Sequence, residues 1–375
     1  MRYIDETSLD DIALGAAILG TGGGGDPELG KLLAAQAIRR HGPVPVSEMG
    51  EVPDDALIVP VSMMGAPAVA HEKLPSIHPV AGIVRSLTAV LGRPAEYTMA
   101  AEIGGISALL PVAAAAELGI PLVDADMMGR AFPELPMVIP SIFGVPANPM
   151  TVGDDWGNAV VIDGVDNHHN ERIARALCVE MGASVLMALY TMTGEQARPV
   201  VVQGTLSLAE RLGRSVREAR EVHGDPIAAA MRLLGGRRLY SGKVSDLARR
   251  TESGFTQMRA TITGLGDHTG LLTIGSQNEH LVAWRGSADA PAGDTLLAST
   301  PDLIMILDTE TGSPITTESL RFGSRVTVMA APCDPRYRSE AALAVVGPRA
   351  FGYDLEYVPI EAFDRHLAPV EGSSA

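Results

Sequence analysis

The sequence predicts an α/β N-terminal domain with a largely parallel sheet, followed by an α+β, β-rich C-terminal domain. Three observations carry this. Through residues 1–166, short apolar runs alternate with helical stretches, the pattern of a parallel sheet covered by helices. From about 238 to 360, β-rich segments dominate, punctuated by Gly264, Gly275, Gly286, Gly312 and Gly323. The 375 residues, 46% hydrophobic and 20% charged, suffice for two domains with a large core. Gly164-Val165-Asp166-Asn167 reads as the boundary, giving domains 1–166 and 167–365 and a frayed tail, 366–375.

The elements follow in order. Ser8 with Asp11 forms a candidate capping box for a helix through about Leu19. After Gly20-Thr21 and four glycines at 22–25, Asp26-Pro27-Glu28 starts a second helix that runs to about Arg40. Ala56–Val61 is a short buried strand that runs into the loop 62–67. A helix over 77–91 and a strand over 97–102 come next. Gly104-Gly105 then precedes an alanine-rich helix, 107–118. Pro121–Asp124 is a third strand and leads into the loop 124–130. Parallel sheets bind ligands beyond the carboxyl ends of their strands, which singles out the loops 62–67, 102–105 and 124–130. Beyond these, 158–163 and 184–192 read as strands, and 169–181, 207–220 and 225–234 as helices.

Charge narrows the partners. With 29 basic and 45 acidic residues, the net charge is −16, which argues against nucleic acid and anionic membranes. An anionic small substrate stays open, since one arginine supplies local positive charge. Cys178 and Cys333 are the two cysteines, too few for a disulfide framework. No run of about 18 apolar residues suggests a membrane span. The N-terminus lacks a basic segment followed by an apolar one. A cytoplasmic protein is the expectation.

The glycine loop is the most informative motif. A dinucleotide fingerprint needs a strand before its glycines, and a P-loop needs Lys-Ser/Thr after them. Neither condition is met. Thr21, Gly22, Gly23, Gly24 and Gly25 then read as a backbone-amide cradle for a small ring or its anion, with Asp26 at its edge. The plainer alternative is a glycine-rich connection closing two helices. Asp26 either caps the second helix or faces the ligand.

Carboxylates supply the candidate chemistry. Glu102 sits at a strand end before Gly104-Gly105, where close backbone approach to a ligand is possible. In a desolvated pocket it would serve as a general acid or base. Asp124 and Asp126, two apart on an extended segment, would face one site and suit a shared-proton pair or a divalent metal. Glu102, Asp124 and Asp126 are thus the catalytic candidates and, if a metal is bound, its ligands. Arg130 would pair with them or grip an anionic substrate, and Glu134 adds another acid. Met63, Met64, Met127 and Met128 lie in the same loops and form either a soft ligand wall or ordinary core. His168-His169 do not share a face, which disfavours a joint metal site. Gln277-Asn278-Glu279-His280 reads first as a hairpin turn and second as a segment reaching the first domain's pocket. Asp302 reads as structural. The Cys333 thiol has no histidine nearby in sequence.

Taken together, Leu19–Pro27, Glu102–Gly105, Asp124–Glu134 and Gly347–Tyr353 resemble the former DUF917 family, now named for S-methyl thiohydantoin desulfurase. The resemblance spans about 1–360. Ser107 departs from it, standing where the family pattern Glu-x-Gly-Gly-x-Asn has an amide. The resemblance implies an N-terminal domain carrying the signature loops and a hydrolase acting on a five-membered thiohydantoin or hydantoin ring. The reaction it implies is loss of the methylthio group as methanethiol. The substrate-binding set would be Thr21, Gly22–Gly25, Asp26, Met64, Gly104, Gly105 and Arg130. Two other readings stay open: a hydantoin ring-opening hydrolase, and a non-catalytic accessory subunit of a hydantoinase/oxoprolinase-type partner. A homo-oligomer is the base expectation for such enzymes.

Overall fold

In the computed structural model, residues 2–65, 78–252, 255–287, 291 and 295–365 are described. The frayed tail expected at 366–375 and part of the 62–67 loop lie outside them.

The first layer is a mixed sheet. Its strands are β1 (Arg2–Ile4), β2 (Val44–Ser47), β3 (Leu57–Gly65), β4 (Tyr97–Ala100), β5 (Leu122–Val123), β7 (Met150–Gly153), β8 (Ala159–Ile162), β9 (Ser184–Ala188) and β10 (Met192–Thr193). Their order is β1-β2-β5-β4-β3-β9-β7-β8, with β10 also pairing β3. The centre, β2-β5-β4-β3, is parallel, as the strand–helix alternation predicts. Strand β9, from beyond residue 167, enters antiparallel between β3 and β7.

Helices α1 (Leu9–Leu19), α2 (Pro27–His41), α3 (His78–Leu91), α4 (Leu110–Leu118) and α5 (Asn167–Glu180) surround this sheet, α6 (Thr205–Glu221) packs on α1, and α7 (Pro226–Leu234) packs on α6. Asp26 caps α2, accepting the Glu28 N–H at 2.9 Å, with Pro27 at the first helical position. The capping box expected at α1 does not form. The Ser8 hydroxyl bonds to the Asp5 backbone, and Asp11 instead takes Arg217 at 2.8 Å. A salt link from Asp11 to α6 takes the place of the local cap.

The second layer is antiparallel, ordered β16-β15-β14-β13-β12-β18-β17. Its members are β12 (Arg237–Glu252), β13 (Phe255–Gly264), β14 (Leu271–Gln277), β15 (Glu279–Arg285), β16 (Leu296–Ser299), β17 (Leu303–Asp308) and β18 (Arg325–Ala331). It curls until β15 packs on β17, around a core that includes Trp284, Ile274, Val328 and Leu320. Two short strands, β6 (Ala125–Asp126) and β11 (Val202–Gln203), pair apart from both sheets. No described helix is long and apolar enough to cross a membrane.

Helices α1 and α6 touch backbone to backbone. A Cβ on Gly15 would lie 1.8 Å from the Ala209 carbonyl oxygen, and one on Gly213 1.8 Å from that of Asp11. No side-chain adjustment relieves such a contact, so the helices must part. Gly15→Ala and Gly213→Ala should each cost about 2–3 kcal/mol, read as a lower urea midpoint with an unchanged m-value.

Candidate active site

Strands β3, β4 and β6 end at one edge, and a small cavity of about 80 Å³ opens there. Each of the three segments singled out from the sequence contributes to its wall: Ser62 to Gly65, which prolong β3 where a loop was expected, Ala101 with Glu102, and Met127 with Met128. The apolar side is rich in methionine, with Met63, Met64, Met127, Met128 and Met187. The polar side carries Glu102, Asn278 and Glu279, and Glu134 and Arg175 complete the lining.

The glycine loop passes between the two layers. Its carbonyls are engaged on both sides: Thr21 accepts the His280 N–H at 2.8 Å, Gly22 that of Thr317 at 2.9 Å, and Gly24 that of Ile106 at 2.9 Å. Thr21, Gly22, Gly24 and Gly25 hold φ of 52°, 94°, 79° and 76°. A Cβ on Gly23 would sit 1.9 Å from Glu279 Oε1, and one on Gly22 2.5 Å from His280 Nε2. One on Gly24 would meet the Gly104 carbonyl carbon at 2.5 Å, and one on Gly105 the Gly25 oxygen at 2.3 Å. Gly24 and Gly25 line the cavity. Among the described residues, their N–H groups donate no hydrogen bond.

Glu102 is 8% exposed and Glu279 2%. Burial pushes the Glu102 carboxyl up to about 8; Ser107 donates to it and partly opposes the shift, while Asp126 adds to it. Ser107 in turn lies 3.3 Å from the Ser62 hydroxyl, so the residue that departs from the family pattern holds Glu102. Burial, and then the charge of Glu102, raise Glu279 well above the carboxylate range, against the pull of Arg130. Among the described residues, Glu279 Oε2 has no hydrogen-bond partner. His280 is wholly buried, its Nδ1 2.9 Å from the Ser276 hydroxyl. Burial and then Arg130 pull it down to about 3, so it is neutral.

The other candidates are placed elsewhere. The chain bends at Asp124, between β5 and β6, so the two-residue alternation fails and the two aspartates part. Asp124 accepts the Ser207 N–H at 3.0 Å near the start of α6. Asp126 is fully buried and accepts the backbone N–H groups of Ile103, Met128 and Gly129. Burial raises it to about 7, with the amides of Gly129 and Met128 opposing. Neither aspartate lines the cavity. Glu102, Asp124 and Asp126 therefore do not assemble a joint ligand set, and the described residues hold no cluster of three potential metal-binding side chains.

Arg130 is also fully buried and outside the lining. It donates to the carbonyls of Ala131 (3.0 Å), Pro301 (2.7 Å) and Asp302 (3.0 Å) and to the Thr21 hydroxyl (3.0 Å), and lies 4.1 Å over the Phe132 ring. It bolts the glycine loop to the second layer. Asp26 serves α2 and is absent from the cavity lining. Asp302 is structural, accepting the Cys333 and Ile360 amides at 3.0 and 2.7 Å. The Cys333 thiol is pushed up to about 12 by burial and then by Asp302.

Asn278 and Glu279 are the lining residues that sequence reasoning ranked second. Both readings of the 277–280 segment meet here: Asn278, at φ 57°, makes the tight turn from β14 to β15, and that turn enters the first layer's cavity.

Family models cover almost the whole chain. The S-Me-THD-like N-terminal domain matches residues 7–164 and the S-Me-THD-like C-terminal domain residues 165–360. The chain belongs to the S-Me-THD-like family. Its name, from S-methyl thiohydantoin desulfurase, indicates a thiohydantoin-related function. The X-ray crystal structure of a protein from Chromobacterium violaceum is similar, with a TM-score of 0.76 at 23% identity over 96% of this chain and 100% of that one. This likeness concerns the fold. No curated protein matches the chain.

The buried carboxyl makes stability depend on pH. Glu102 rises from an ordinary 4.5 to about 8 on folding, so its protonated form favours the folded chain. That contribution is complete below 4.5 and is lost as pH climbs through about 8. The melting temperature should fall between about pH 5 and 8, and Glu102→Gln, which has no proton to lose, should make the fall shallower, the remainder coming from Asp126 and Glu279.

Proposed function

We propose that this member of the S-Me-THD-like family hydrolyses S-methyl thiohydantoins to hydantoins, releasing methanethiol. The observation that carries the reading is the pair of buried carboxyls, Glu102 and Glu279, brought to one cavity from two halves of the chain. Environments that push two acids to different pKa values assign their roles. Glu102, at about 8, is the first to ionise and is the base. Its charge keeps Glu279 protonated, and Glu279 is the acid.

The ring lies against the methionine wall, which suits a methylthio group. The Gly24 and Gly25 amides hold the ring carbonyl. Glu102 takes a proton from water as the oxygen adds to the carbon bearing sulfur. Glu279 gives its proton to the adjacent ring nitrogen, so the C=N bond becomes C–NH. The intermediate then collapses: its hydroxyl proton returns to Glu279, the C–S bond breaks, and Glu102 hands its proton to the departing methanethiolate. Both carboxyls end as they began.

Purified protein incubated with S-methyl thiohydantoins should release thiol with the ring intact. A new carboxylate in place of thiol would mean ring opening and would refute the reading. Glu102→Gln and Glu279→Gln should each lower the rate by about 10²-fold or more, and the wild-type rate should rise with pH through about 8 as Glu102 ionises. Gly23→Ala should fold yet lose activity, because its Cβ takes the place of the Glu279 carboxyl.

A further inference from the structure

Glu134 is the cavity carboxylate left without a counter-charge of its own. It is half-buried on the cavity wall, and its carboxylate makes no hydrogen bond or ion pair among the described residues. Burial and then Glu171 raise its pKa, while Arg175 and the exposed His168 oppose them. Arg175 shares the wall but is already neutralised. Its Nε lies 2.9 Å from Glu171 Oε1, its Nη2 bonds Glu171 and the Pro133 carbonyl, and the guanidinium sits 4.6 Å over Phe255. Of the three lining carboxyls, Glu102 and Glu279 are held protonated by burial, which leaves Glu134 facing one compensated cation. Glu279 Oε2, buried without a partner among the described residues, independently marks this cavity as built for a polar ligand.

Glu102 and Glu279 are occupied by the chemistry proposed above. Glu134, more exposed than either, faces whatever the ring carries as a substituent. We propose that the cavity selects thiohydantoin-type rings bearing a short aminoalkyl arm, with the ammonium against Glu134. Holding Arg175 on Glu171 is part of this selection, because a released guanidinium would take Glu134 for itself and favour an acidic arm. The inference rests on the ring assigned above as substrate.

Calorimetric binding of three product hydantoins of matched size tests it: one with an aminoalkyl arm, one with an alkyl arm and one with a carboxyalkyl arm. Wild type should bind the aminoalkyl ring about tenfold more tightly than the alkyl ring, the worth of one 1.4 kcal/mol contact, and the carboxyalkyl ring most weakly. Glu134→Gln should erase the aminoalkyl advantage and leave alkyl binding unchanged. An equal or better alkyl or carboxyalkyl ligand overturns the proposal. Should Glu134→Gln not fold, the wild-type ranking decides alone. Binding needs no turnover, so an aminoalkyl preference without thiol release refutes the reaction and upholds the selection. Thiol release without the preference does the reverse. Failure of all three rings to bind overturns both.

Discussion

Gly22 to Gly24 pack against their neighbours so closely that no side chain fits there without displacing one. One side is closed by Gly104 and Gly105, the other by Glu279 and His280. Added Cβ atoms at 22, 23 and 24 would fall within 2.5 Å of a neighbour. The loop's carbonyls carry hydrogen bonds from both layers, which fixes how the second layer sits against the ends of β3, β4 and β6. Glycine is costly to order. Here the cost is offset by the closeness it permits, and that closeness puts Glu279 beside the cavity.

Arg130 completes the constraint. Burying a guanidinium is tolerable only when its donors are satisfied. Three carbonyls, a hydroxyl and an aromatic face surround this one. Its field also sorts its neighbours, opposing the rise of Glu279 and helping to keep His280 neutral. The overall charge of −16 says little about this region, because the electrostatics there are set by groups out of contact with water.

Much of the fold was legible in the sequence. The parallel centre of the first sheet, the helix start at Asp26-Pro27 and the three segments that line the cavity followed from periodicity, capping chemistry and the strand-end rule. What was not legible depended on local breaks or distant partners. Asp124 and Asp126 share a face only if the chain between them stays extended, and a single bend separates them. Ser8 and Asp11 satisfy a capping pattern, but Arg217 offers Asp11 a stronger partner 206 residues away. Arg130 carried the right charge for gripping a substrate, yet its donors were claimed by carbonyls that no sequence pattern reveals. Asn278-Glu279 gave a real signal, a polar tetrad between two strands. Its destination depended on how two sheets dock.

Because the turn at Asn278 carries Glu279 into a cavity otherwise framed by the first layer, the pair of buried carboxyls does not exist in either half of the chain alone. Glu102 is synthesised long before Glu279. On the ribosome, a nascent chain that has completed the first sheet's parallel strands still lacks one wall of its cavity. Closing so long a loop is entropically slow relative to pairing neighbouring strands. The cavity is therefore completed only on docking, and a translation product truncated before residue 279 lacks that wall however well its first sheet forms.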